Sequence, residues 1–135
     1  MGGRLFLACL LAGGVGGCLT SGVATCGLTA KPHVVAELIF GRNIGDRLGV
    51  GEGEFRRFVD EEVTPRFPDG FTVLDGRGQW REGGRIVREP SKVLVVALVE
   101  EERGRAELAA IAEAYKARFR QHSVITILRP GCVSF

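Results

Sequence analysis

Glu37 is the first residue of this chain whose surroundings could give it chemistry. It interrupts Val34–Phe40 (VVAELIF), an apolar, β-branched run that reads as a buried strand. A carboxylate isolated there is costly to ionise, which is how a general acid or base is made. Pairing with a nearby arginine is the alternative, and the sequence favours it. The two histidines, His33 and His122, precede different strands and are read as surface or loop residues. No Ser-His-Asp set and no Cys/His spacing of a metal site can be assembled, so neither metal nor cofactor is expected. Gly49–Gly53 (GVGEG) lies between a strand and a helix, as a dinucleotide fingerprint would. Its spacing is not GxGxxG, and Glu52 and Glu54 would oppose a pyrophosphate, so it is read as a flexible loop.

Binding chemistry concentrates further on, in Phe71–Glu82 and Arg85–Val99, two extended runs joined at Gly83-Gly84. A two-residue turn there makes a long hairpin whose pairs follow by counting outward. Trp80 then faces Val87, Gln79 faces Arg88, Arg77 faces Pro90, and Asp75 faces Lys92. Alternation puts Asp75, Arg77, Gln79, Arg88 and Lys92 on one side and Leu74, Trp80, Val87 and Val93 on the other. The apolar set is expected under helices and the polar set on a helix-free face. Asp75 and Lys92 should pair, leaving Arg77 and Arg88 to hold a carboxylate or phosphate. Trp80 could line the same pocket beside Gln79, although covering the core is the plainer role for it. A bulge at Glu89-Pro90 is expected to bend the long arm.

The elements around this hairpin can be placed in order. Glu54–Thr64 carries Phe55, Phe58, Val59 and Val63 on one helical face and is ended by Pro65 and Pro68. Arg105–Arg120 carries Leu108, Ile111, Ala112, Tyr115 and Phe119 on one stripe, and Glu100–Glu102 suit a helix N-terminus. Ser123–Leu128 is a strand, broken by Pro130-Gly131. The order β-α-β-β-α-β predicts a ferredoxin-like α+β sandwich: an antiparallel four-stranded sheet, order 4-1-3-2, with both helices on one face. His33 and His122 then lie at opposite ends of the sheet. The third strand is apolar on both faces, although helices can cover only one, which predicts a homodimer packed sheet to sheet.

The 135 residues suffice for one domain with a real core, and a net charge of +2 gives no pull on nucleic acid. Arginine makes up 15 of the 18 basic residues, a bias that the genome's composition explains more readily than anion binding does. Arg4 and the apolar Leu5–Val15 form a secretory signal, with residues 1–17 removed and 18–32 a tether before a single domain at 33–135. Val15-Gly16-Gly17-Cys18 resembles a lipobox, which would make Cys18 a lipid attachment point at the cell envelope. An ordinary signal peptide cut near Ala24 or Ala30 is the alternative. In that oxidising compartment Cys26 and Cys132 are expected to pair, because the chain after Pro130 returns toward the start of the first strand.

Phe40-Gly41-Arg42, Thr64–Gly70 (TPRFPDG), Gly78-Gln79-Trp80 and Arg88–Lys92 (REPSK) together resemble an uncharacterised family of small bacterial proteins, often exported or lipid-anchored. The resemblance spans Val34–Phe135 and implies a compact α+β domain. It carries no activity and no catalytic residue. The expected function is therefore a dimeric binding or structural module of the envelope, with a small anion or an envelope protein as partner. The alternative is a cofactor-free cavity enzyme, isomerase- or monooxygenase-like, of the dimeric α/β-barrel type, with Glu37 as acid/base and Arg77 as anion anchor.

Overall fold

The computed structural model of the chain describes residues 26–135. The proposed signal peptide, Cys18 and the first part of the tether lie outside the described residues. The sheet has four antiparallel strands: β1 (Lys31–Gly41), β4 (Thr72–Glu82), β5 (Arg85–Leu98) and β6 (Ile125–Val133), in spatial order β4-β5-β1-β6. A small hairpin, β2 (Asn43–Ile44) and β3 (Arg47–Leu48), leads into α1 (Glu52–Phe58). A π-helical turn over Val59–Val63 continues α1, and α2 (Glu101–Phe119) returns the chain to β6. This is the ferredoxin-like α+β sandwich, with the two most apolar strands at its centre.

The helices form where the apolar spacing placed them. Phe55, Phe58 and Val63 are buried, as are Leu108, Ile111, Tyr115 and Phe119. They pack against alternate residues of the central strands: Ala36, Leu38 and Phe40 from β1, and Leu94, Val96 and Leu98 from β5. Each such large apolar side chain contributes roughly 1.5–3 kcal/mol when fully buried, so this layer outweighs any surface ion pair. α2 starts four residues earlier than its apolar stripe requires, at Glu101, with Glu101 and Glu102 in its first turn. Gly104 lets it approach the sheet: a methyl group there would come 2.8 Å from Leu98. At the far end of the core Phe40, Phe55, Phe58, Tyr115 and Phe119 form one aromatic cluster, with Phe40 and Tyr115 rings 4.7 Å apart.

Gly83 and Gly84 both have positive φ (52° and 84°), the conformation a two-residue hairpin turn needs. Pairing runs unbroken from Glu82–Arg85 to Thr72–Val95, so the expected bulge at Glu89-Pro90 is absent. Counting outward from the turn, Pro90 falls where the pair with Arg77 exchanges no backbone hydrogen bonds, so β4 does not need its missing N–H.

Other expectations are corrected by position in the sheet. Pro130-Gly131 does not end the last strand, which runs on to Val133 beside Lys31. β6 is an edge strand, where proline is tolerated. β1 begins at Lys31. A disulfide joins Cys26 to Cys132 across 106 residues and ties the entering segment to β6.

Candidate functional site

The hairpin puts Asp75, Arg77 and Gln79 of β4 opposite Lys92, Pro90 and Arg88 of β5. Lys92 also lies beside Phe40, the last core residue of β1. The polar set therefore shares the helix-covered face with Leu94, Val96 and Leu98, the reverse of the expected arrangement. Leu74, Trp80, Val87 and Val93 occupy the helix-free face, where Leu74 is 51% and Trp80 42% exposed. For Trp80 the physical reason is reach. β1 pairs with β5 only as far as Ser91, and the arm beyond it extends past the core as two strands. The apolar residues of that arm have no helix to bury them.

Lys92 reaches inward rather than toward a ligand. Its Nζ lies 5.9 Å from the centroid of the Phe55 ring and donates to Asp75 Oδ1 (2.5 Å) and Glu52 Oε2 (2.8 Å). Arg42, also buried, donates from Nη1 to the other oxygen of Glu52 (2.6 Å) and from Nε to the carbonyl of Val50 (2.9 Å). The Arg42 carbonyl in turn accepts from the amides of Gly49 and Val50, so GVGEG is a pinned turn with Val50 in the core rather than a flexible loop. Arg42 and Glu52 are the residues that sequence reasoning missed. The available signal was an arginine at the exit of a buried strand, followed by a glycine-rich turn ending in glutamate.

Charge follows from this chain of contacts. Hydrogen bonding to Lys92 holds the carboxyls of both Asp75 and Glu52 below their ordinary values, and Arg42 adds to the effect at Glu52. The bonds from Asp75 and then Glu52 raise the Lys92 ammonium above its ordinary 10.5. Depressed carboxyls stabilise the fold above their unfolded values, about 4, and lose that contribution as pH falls. A raised lysine contributes fully below its unfolded value and loses its contribution as pH rises past it. The network is therefore complete from about pH 5 to pH 10. Lys92→Met should flatten the acid limb: urea midpoints at pH 5 and pH 3 should differ less in the variant than in the wild type. Parallel acid limbs would show that Lys92 does not govern these carboxyls.

Arg77, Gln79 and Arg88 are exposed on one side of the arm, together with Arg81, and none of the four side chains has a hydrogen-bond or ion-pair partner among the described residues. Arg88 sits directly across from Gln79 and diagonal to Arg77 and Arg81, within reach of a shared small anion. Trp80 points to the opposite face and is not part of this group. Glu37 also lies on the helix-free face, where Arg129 of β6 pairs with it. It is not an isolated carboxylate, so the enzyme alternative loses the feature that motivated it. The Nδ1 of His33 lies 3.2 Å from the carbonyl of Leu98, and His122 is exposed near the opposite end of the sheet. Among the described residues no group of three His, Cys, Asp or Glu side chains is placed to hold a metal ion.

A family model described as a protein of unknown function, DUF3574, matches residues 35–135. The chain belongs to that family. No curated protein matches the chain significantly. Among solved structures, a phage SAM lyase in the apo state is similar with a TM-score of 0.58 at 18% identity, covering 77% of this chain and 90% of the lyase. The phage SAM lyase in complex with S-methyl-5'-thioadenosine gives a TM-score of 0.53 at 18% identity, over 76% of this chain and 90% of the other. CutA from Synechococcus elongatus gives 0.51 at 13% identity, over 76% and 80%. These likenesses concern the fold alone.

Proposed function

We propose that the domain is a binding module whose arginine-lined hairpin arm holds a small anionic ligand. One observation carries the reading: Arg77, Arg81 and Arg88 stand on one face around Gln79 with no internal partner among the described residues, while Lys92 beside them is neutralised by Asp75 and Glu52. Guanidinium groups left unpaired by the fold are free for planar bidentate contacts to a carboxylate or phosphate. Inorganic phosphate and citrate should each raise the melting temperature of the wild type at fixed ionic strength. Arg77→Ala and Arg88→Ala should abolish that rise and leave the unliganded melting temperature unchanged. An equal rise in either variant would remove the site.

We also propose that the mature chain is exported, carries lipid on Cys18 and works as a homodimer through the helix-free face. The lipobox-like Gly17-Cys18 supports the first part. The second rests on the apolar side chains of that face, with Leu74, Trp80 and Ile125 all more than 40% exposed. Intact mass and light scattering of detergent-extracted protein test both together. A mass starting after Ala24 or Ala30 defeats the anchor, and a monomer at micromolar concentration defeats the dimer.

A further inference from the structure

A groove of about 490 Å³, lined by none of the arm's residues, opens between the β2–β3 hairpin, α1 and the C-terminal end of α2. We propose that it is a second binding site, for a small monoanion with an apolar body, such as a medium-chain carboxylate. Its volume falls within the range of small-molecule sites. Ile44 and Phe119 supply apolar wall. Gly49 belongs to that wall as well, because any side chain there would run into Ile44.

The charges of the groove divide into committed and free. Glu61 pairs with Arg118 at 2.8 Å, and Arg118 also lies over the Phe58 ring. Glu54 accepts from the amide of Gly51 at 2.8 Å at the start of α1. Arg57 and Arg120 also line the groove, and neither side chain has a hydrogen-bond or ion-pair partner among the described residues. Three guanidinium groups against two carboxylates leave one positive charge, which matches a monoanion better than a phosphate. Arg120 holds this place at a conformational cost: its φ is 51°, in the left-handed region that glycine would occupy without strain.

Amide chemical shifts of the oxidised protein, followed during titration with sodium octanoate, test the assignment. Saturable shifts should appear at Ile44, Gly49, Phe119 and Arg120. The double variant Arg57→Gln, Arg120→Gln should keep the wild-type melting temperature and bind octanoate at least tenfold more weakly. Shifts confined to residues 77–88 would overturn the groove and point to the arm instead. Undiminished binding in the double variant would overturn the role of its arginines, and phosphate bound as tightly as octanoate would overturn the apolar body. Arg77→Ala should leave octanoate binding in the groove intact, so this site and the arm stand or fall separately.

Discussion

Tyr115→Ala is expected to destabilise the domain by about 3–5 kcal/mol, the range for removing a buried aromatic ring. Tyr115 is fully buried at the centre of the aromatic cluster, with Phe58 at 5.1 Å and Phe119 at 4.8 Å between ring centroids. Four rings would line the void, held by β1, α1 and α2, so the site can collapse only partly. Its hydroxyl donates to the carbonyl of Gly41 at 2.8 Å, and burial pushes the phenol well above its ordinary value. Tyr115→Phe removes that bond alone and should cost about 1 kcal/mol. The smaller variant carries a further consequence, because Gly41 precedes Arg42 and fixes where that guanidinium starts. Urea denaturation should show lowered midpoints with unchanged slopes for both variants. A loss below about 1 kcal/mol in Tyr115→Ala would mean that the ring is not in a closed core.

Breaking the Cys26–Cys132 disulfide should lower stability by about 2–4 kcal/mol, through Cys26→Ser or through reductant. The bond closes a loop between residues 106 apart, and the entropy it removes from the unfolded chain grows with the logarithm of that length. Part is offset in the folded state, since Gly27, Leu28 and Thr29 are exposed and the segment regains freedom once released. The local effect should be confined to the end of β6, where Cys132 pairs with Pro32. Equilibrium unfolding with and without dithiothreitol, read beside amide exchange of Ile125–Val133, measures both. Identical midpoints in the two conditions would mean that the crosslink does not constrain the unfolded chain.

What was local in the sequence was legible by itself. Two consecutive glycines between extended runs specify a turn with positive φ at both positions, and every pair of the hairpin follows from it by counting. The helical stripes, the order of elements and therefore the ferredoxin-like topology rest on the same short-range periodicity. The motifs in that order also pointed to an uncharacterised family, and the chain belongs to one.

What depended on contacts distant in sequence was not legible. Alternation along a strand divides side chains into two sets but does not say which set the helices cover. That was decided when the turn after β1, pinned by Arg42, carried Glu52 over Lys92, 40 residues away in the chain. The polar set thereby fell on the helix side, and Trp80 and Leu74 on the open side. For Glu37 the sequence favoured pairing with an arginine but did not say which one, because the partner, Arg129, is 92 residues away on the neighbouring strand. Pro130 looked like a terminator because proline has no N–H to donate, a loss that matters inside a sheet and is tolerated at the edge that β6 occupies. The sequence alone determined which residues form pairs and stripes. The tertiary structure decided which face each set meets, because burial is set by whatever the rest of the chain packs on top.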